Sequence, residues 1–353
     1  MMILPGGTIG IIGGGQLGKM MVIAASQMGY NTVVFSDQKN SPATSVASEA
    51  IIASYLDEEA WDAFKKSCDI ATYEWENVPL AFIQYLEKKN RVRPCAKILE
   101  ISQNRIREKD FIRSLNIETP LYQKVTDKKS FFKAVSSIGF PYILKTCELG
   151  YDGKGQYEIG PDDNLEKIWE NSGTFEKILE KKIPFAKEIS IIAARNVYGQ
   201  FVPFVPVHNI YKDKVLDISI APADISEAIS QKATQITKTI MDAVNYVGVM
   251  AIEFFVTYEN KVIVNEIAPR PHNSGHWTID ACYTNQFEQH IRALCNLKLG
   301  DATCHSKAVM KNLVGEDILN WQKFENSGKC KLHVYGKKVL KDKRKMGHLT
   351  TLL

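Results

Sequence analysis

The 353-residue sequence has little of what would tie a chain to a membrane, a disulfide scaffold or a nucleic acid. No apolar run reaches the roughly 18 residues that a membrane-spanning helix needs, and the start, MMILPGGTIGIIGGGQLG, lacks the basic segment of a secretory leader. Seven cysteines, at Cys68, Cys95, Cys147, Cys282, Cys295, Cys304 and Cys330, include no CxxC pair. That spacing excludes a zinc ribbon and a dense disulfide framework, so a soluble cytoplasmic chain with reduced thiols is expected. The formal charge is only +4, from 44 Lys plus Arg against 40 Asp plus Glu, too small an excess to imply a nucleic-acid partner. Tandem repeats and low-complexity linkers are also missing. What is there, 45% hydrophobic residues, suffices for two or three domains with full cores.

Thr8 to Ile12 reads as a short buried strand running into Gly13, Gly14, Gly15 and Gly18, and Leu17 to Met28 carries helical apolar spacing up to Gly29. Thr32 to Phe35 is the next strand. Strand, turn, helix and strand make a βαβ unit, which requires a parallel sheet. A helix at Glu58 to Lys66, a strand at Ile70 to Tyr73 and a helix at Pro79 to Lys89 continue the pattern, giving a Rossmann-like domain over 1–102. A charged helix from Arg105 to Leu115 lies in a connector, 103–119. Residues 120–185 read as a small α+β unit, with strands at Phe140 to Thr146, Gln156 to Ile159 and Phe175 to Leu179 and a helix at Leu165 to Trp169. A larger α+β region, 186–300, holds an amphipathic helix at Ile225 to Asn245. It continues with a hairpin of Val249 to Val256 and Lys261 to Ile267, then a helix through Asn285 to Leu294. Short strands and turns with a basic end are expected over 301–353.

Gly13, Gly15 and Gly18 fit GxGxxG, and Asp37 lies where a dinucleotide enzyme places its ribose carboxylate. The same turn offers helix N–H groups to another phosphate ligand, or serves as a plain structural turn, and taken locally it leaves all three readings open. A second glycine-rich segment, Gly150, Tyr151, Asp152, Gly153, Lys154, Gly155 and Gln156, follows Lys145. It has what a lid over a triphosphate requires: glycines for close approach, N–H donors and a lysine, with a bland hairpin as the competing reading. Two phosphate-contacting devices suit a nucleotide plus a phosphorylated cosubstrate better than redox chemistry.

Glu253 and Glu266 each interrupt an apolar arm of the same hairpin, offering hard oxygen donors for Mg²⁺ against phosphate, with Asn265 beside them. The competing reading turns one or both to solvent. The run Arg270, Pro271, His272, Asn273, Ser274, Gly275, His276, Trp277 and Thr278 packs a cation, two histidines, an amide and a hydroxyl after the second carboxylate, as a substrate-recognition loop does. No thiolate stands at zinc spacing from those histidines. Seven basic residues between Lys331 and Lys345, opposed only by Asp342, form a solvated face, an RNA-facing patch or a phosphate clamp built on Arg344 and Lys345. They lack an aromatic platform for stacking bases.

Taken in order, GGGQLGKM at 13–20, YEWENV at 73–78, Asn104 and Arg105 followed by Lys109, and KTCELGYDGKGQ at 145–156 resemble the ATP-grasp superfamily. EKKIPFAKEIS at 180–190, VNEIAPRPHNSGHWT at 264–278, YGK at 335–337 and RKMGHLT at 344–350 extend the match, most closely to its N5-carboxyaminoimidazole ribonucleotide synthetase family. The resemblance implies a mixed α/β and α+β chain, an ATP-grasp fold preceded by a Rossmann-like domain that uses no NAD. It implies ATP contacts from Arg105, Lys145, 150–156, Glu180, Lys181, Lys182, Ile183, Glu188, His208, Asn265 and Glu266, with Mg²⁺ on Glu253 and Glu266. Gly15, Gln16, Leu17, Glu74, His272, Asn273, Ser274 and His276 are implied at the ribonucleotide, and Lys337, Arg344 and Lys345 at its phosphate.

The implied reaction is ATP- and bicarbonate-dependent carboxylation of 5-aminoimidazole ribonucleotide through carboxyphosphate, in purine biosynthesis, with release of ADP and phosphate. Lys145 and Arg270 are the expected catalytic contacts, Arg270 orienting bicarbonate. His276 and released phosphate are the candidate proton acceptors. A cytoplasmic homodimer without nucleic-acid or membrane partners is implied, and the ending at Leu353 is early enough for the family that further C-terminal residues are expected. Competing readings are another ATP-grasp ligase using formate or an amino acid, and a noncatalytic nucleotide- or RNA-binding module.

Overall fold

A computed structural model describes residues 2–88, 91–148, 155–325 and 328–353. In the first region the strands lie in the order Glu49–Ile52, Asn31–Ser36, Thr8–Ile12, Ile70–Tyr73, all parallel. The central strand alternates its side chains between two cores. Ile9 and Ile11 join the cluster under the helix Gln16–Gln27, whereas Ile12 joins the opposite face with Phe35, Phe64 and Phe82. A parallel sheet covered on both faces is what the near-continuous apolar run predicts. The strand Glu49–Ile52 and the helix Ala96–Ser102 are not among the expected elements. The first is a four-residue edge strand, largely exposed, and the second has only seven residues, so neither carries a strong period.

The lid is a four-stranded antiparallel sheet in the order Tyr122–Val125, Lys177–Lys181, Tyr142–Thr146, Gln156–Ile159. An unforeseen helix, Lys128–Ile138, is fixed at its start by a reciprocal Asp127 and Ser130 capping box and packs Phe131 and Val135 onto Leu144 and Leu179. The expected strand at Phe175 to Leu179 begins two residues later, at Lys177. Phe175 is 72% exposed, while the Lys177 ammonium is buried, donating to Gly173 and Phe175 carbonyls at 2.6 and 2.8 Å beneath the Trp169 ring.

The third sheet has nine strands. Its path runs Val262–Ala268, Gly248–Thr257, Phe185–Arg195, Val207–Lys212, Val215–Ala221, Ala308–Val314, Lys345–Leu352 and Cys330–Val334, with Phe201–Pro203 paired beside Phe185–Arg195. The C-terminal strands therefore extend the large sheet, joined to it where Val215–Ala221 pairs with Ala308–Val314. One face is covered by the helix Glu227–Ala243 through Ile229, Ala233, Ile236 and Ile240. The connector helix Arg105–Ser114 buries Ile112 in that core and stands between lid and large sheet. The helix Gln286–Leu294 is sandwiched between the large sheet, where Ala293 is buried and His290 Nδ1 accepts the Val249 N–H at 3.0 Å, and the first region, where Phe287 and Ile291 meet the Gln16–Gln27 helix. These two helices hold all three sheets around one cleft.

Candidate active site

The cleft is a cavity of about 880 Å³ lined by the lid, the connector helix, the large sheet and the glycine turn of the first region. The hairpin sets Glu253 directly opposite Glu266 across its two strands. Opposed residues of an antiparallel pair project to one face, so both carboxylates share a wall of the cavity. Tyr211 donates to Glu253 Oε1 at 2.9 Å, and His272 Nε2 lies 3.7 Å from the same oxygen. Arg105 Nη1 donates to Glu266 Oε2 at 3.2 Å. Burial first, and Glu266 second, push the Glu253 carboxyl up to about 8; the same two causes push Glu188 up to about 7.

Carboxylates crowded in this way call for a cation. Two hard oxygen donors on one wall fit Mg²⁺. Among the described residues no group of three or more His, Cys, Asp or Glu side chains could hold a metal, so an ion here needs phosphate oxygens and water to complete its octahedron.

Next to the carboxylates lies a cluster of cations. Lys145 pairs with Glu180 from the adjacent lid strand, and Lys109 from the connector helix approaches the same carboxylate at 3.7 Å. Burial opposes ionisation of Glu180, but Lys145, Lys109 and Arg105 together bring its carboxyl down to about 2. Burial lowers the Lys145 ammonium. The Glu180 side chain thus serves as counter-charge that fixes two lysines in place. Lys181, Lys182, Ile183, Glu188, Asn265 and Gln156 also line the cavity, and Gly155 takes φ +68 just before the strand Gln156–Ile159. Gly150, Tyr151, Asp152, Gly153 and Lys154 lie outside the described residues.

At the far end, the glycine turn carries an internal anion. The Gly15 and Gly18 N–H groups donate to the Glu74 carboxylate, the second at 2.7 Å, and a Cβ on Gly13 would stand 2.3 Å from Glu74. The N–H groups that would grip a dinucleotide pyrophosphate are taken, which overturns the dinucleotide reading of GxGxxG. Gly15, Gln16 and Leu17 still line the cavity beside Glu74. Arg270 Nε donates to Glu76 Oε2 at 2.6 Å. Against the opposing effect of burial, Arg270 holds Glu76 down to about 2. His272, its pKa lowered to about 3 by burial and then by Arg270 and Lys345, is a neutral imidazole on the wall with Asn273 and Lys345.

Several expected contacts are placed elsewhere. His276 is fully buried off the cavity wall, its Nδ1 3.2 Å from Gln286 Nε2, and burial drives its pKa well below the usual value. That position corrects its assignment as proton acceptor. Ser274, also fully buried, hydrogen-bonds Ser190 at 2.7 Å behind the wall, and His208 pairs with Ile189 without lining the cavity. Arg344 donates to the Val339 carbonyl at 3.0 Å, and Lys337 to the Lys345 carbonyl at 2.8 Å; neither lines the cavity.

The sequence reading missed Glu76, Tyr211, Glu108 and Gln286. Glu108, pushed up to about 7 by burial, accepts Ile267 N–H at 2.6 Å. Gln286 brackets the His272 backbone with bonds of 2.9 and 2.8 Å. Only Glu76 carried a signal, as the second acid of YEWENV.

A carboxylate pair opposite a buried lysine, closed by an antiparallel lid, defines an ATP-grasp ligase. Residues 110–287 match the ATP-grasp domain family, flanked by a ribonucleotide synthetase preATP-grasp domain over 7–103 and a phosphoribosylaminoimidazole carboxylase C-terminal domain over 308–353. N5-carboxyaminoimidazole ribonucleotide synthase of Brucella melitensis is 41% identical over 99% of this chain and 97% of its own. The structure of an N5-carboxyaminoimidazole ribonucleotide synthetase in complex with ADP superposes with a TM-score of 0.97 at 42% identity, covering 100% of this chain and 94% of that one. The Aspergillus clavatus N5-carboxyaminoimidazole synthase in complex with ADP and 5-aminoimidazole ribonucleotide gives 0.91 at 25% identity, covering 99% and 95%. This chain belongs to the N5-carboxyaminoimidazole ribonucleotide synthase family.

Proposed function

We propose that this ATP-grasp ligase carboxylates 5-aminoimidazole ribonucleotide with ATP and bicarbonate, through carboxyphosphate, and releases ADP and phosphate. The observation that carries this reading is one continuous cavity: Lys145 and Glu180 line it on the lid side, Gly15, Glu74 and Arg270 on the side of the glycine turn, and the carboxylates Glu253 and Glu266 lie between them, with His272 3.7 Å from Glu253. Mg²⁺ on Glu253 and Glu266 would neutralise phosphate oxygens when bound. Lys145 and Arg105 face the same oxygens and stabilise charge as the γ-phosphoryl group passes to bicarbonate.

Arg270, held in orientation by Glu76, aims its guanidinium at bicarbonate and then at the carboxyl end of carboxyphosphate. The ribonucleotide lies toward the glycine turn, with Lys345 near its phosphate and Glu74 near its amine. His272 is too weak a base to take the amine proton, and His276 is off the wall, so the phosphate released in the same cavity accepts it. Closure of the lid keeps water from the mixed anhydride. The reading extends to a cytoplasmic homodimer, a state that sedimentation equilibrium measures; no described helix is long and apolar enough to cross a membrane.

Incubation with Mg-ATP, bicarbonate and 5-aminoimidazole ribonucleotide should yield ADP and the carboxylated nucleotide in equal amounts. Turnover that requires formate or an amino acid instead of bicarbonate, or no carboxylated product, would overturn the proposal.

A further inference from the structure

Away from the cleft, Cys282 and Cys304 bring their sulfurs to 3.3 Å. The two residues oppose each other across an isolated antiparallel bridge. Its flanking hydrogen bonds run from Tyr283 N–H to the Thr303 carbonyl at 3.1 Å and from His305 N–H to the Ala281 carbonyl at 2.9 Å. Those bonds make Cys282 and Cys304 a non-hydrogen-bonded pair, the register in which opposed Cα atoms approach to about 4.5 Å and side chains lean together. A disulfide spans Cα separations of roughly 4.4–6.8 Å, so the backbone is already set for one.

The two thiols have different surroundings. Cys282 is buried, only 7% exposed, while Cys304 is half-buried and lines a second cavity of about 570 Å³ with Asp301, His305 and Lys307. Cys304 is therefore the sulfur that a small solute in this cavity can reach, with Cys282 held beside it.

We propose that Cys304 and Cys282 form an oxidisable dithiol, in which Cys304 reacts with a hydroperoxide entering from the second cavity and Cys282 resolves the product into an intramolecular disulfide. In the first step the Cys304 thiolate attacks the terminal oxygen of the hydroperoxide. The O–O bond breaks, Cys304 becomes a sulfenic acid, and the alkoxide or hydroxide leaves with the proton that the thiol gave up. In the second step the Cys282 sulfur attacks the sulfenic sulfur; the S–S bond forms, the S–O bond breaks, and hydroxide leaves with the Cys282 proton as water. Each sulfur has lost one electron and the hydroperoxide has gained two.

The bond would fasten the 301–307 turn to the segment that supports the substrate loop. Thr278 Oγ1 donates to the Gly275 carbonyl at 2.7 Å and accepts Gln286 N–H at 3.1 Å, and Gln286 brackets His272.

The test titrates the full-length protein with hydrogen peroxide, quenches by alkylation and maps unreduced peptides by mass spectrometry. The expected result is a Cys282–Cys304 cross-link within one chain, formed before Cys68, Cys95, Cys147, Cys295 or Cys330 is modified and reversed by dithiothreitol. Cys304→Ser should abolish it, and Cys282→Ser should leave a sulfenic acid on Cys304 that dimedone traps. The proposal is overturned if both thiols stay alkylatable at a peroxide level that oxidises another cysteine, or if the cross-link joins two chains. Should either variant fold poorly, mapping of the unaltered protein decides alone.

Discussion

Glu253 and Glu266 are neighbours because a hairpin register makes them so, and their cost to the empty protein is their use in the loaded one. Glu266→Gln is expected to lower kcat by about 10²–10³, the loss typical of removing one group that stabilises transition-state charge, with the melting temperature little changed. An unaltered rate with unaltered Mg²⁺ dependence would remove Glu266 from the metal site. The C-terminal cations divide differently from the sequence expectation. Lys345 lines the cavity and Arg344 is turned to the Val339 carbonyl. Lys345→Ala should raise KM for the ribonucleotide about tenfold, as loss of roughly 1.4 kcal/mol of binding does, whereas Arg344→Ala should change it less than about twofold. Equal effects in steady-state kinetics would contradict the geometry.

Among the secondary-structure elements, the connector helix is the piece that composition hid. It brings Arg105 and Glu108 to the cavity wall and Lys109 to Glu180, so a segment that reads as a charged helix has Glu108 and Lys109 buried at 2% and 1% exposure. Glu180 from the lid is the partner of both Lys109 and Lys145. Glu180→Gln should leave two buried ammonium groups without their counter-charge and destabilise the protein by about 3–5 kcal/mol. ATP should bind more weakly as well, because Lys145 loses its anchor. Denaturant melts and ATP titration check both effects; unchanged stability would mean that the lysines find another acceptor.

At the level of the whole molecule, acid stability follows from two sets of buried groups. His290 is held to about 3 by burial, and His276 and His348 well below their usual value. The unfolded chain protonates these rings near pH 6.5, so their contribution is complete above about pH 6.5 and lost as pH falls toward 3. Glu76 and Glu180, both near 2, contribute above about pH 4.3 and lose that contribution as pH drops toward 2. Glu108, Glu188 and Glu253, raised to about 7, 7 and 8, act in the opposite sense between about pH 4.3 and those values. The histidine and raised-carboxyl trends offset each other between about pH 6.5 and 4.3 and stop doing so below about pH 4.3, where the raised carboxyls are protonated in both states. Calorimetry should therefore show the steepest fall in melting temperature between about pH 4.3 and 3. A flat profile there would show that neither the buried histidines nor Glu76 and Glu180 hold depressed pKa values in the folded protein.

The sequence by itself determined the local units: a strand running into a glycine turn and helix, the strand that carries Lys145, and a hairpin with one carboxylate on each arm. These follow from periodicity and turn chemistry within a few residues, which is why the ends of Thr8–Ile12, Ile70–Tyr73 and Gln156–Ile159 were legible to the residue. Tertiary structure alone decided what fills or faces those units. Glu74 reaches the glycine turn from 59 positions away, Arg270 meets Glu76 across 194, and Cys282 meets Cys304 across a closed loop of the chain. Burial then set the chemistry, turning His276 into a neutral core residue and Glu180 into the counter-ion of two lysines. A side chain's neighbours in space fix its charge and reach, and a sequence lists only its neighbours along the chain.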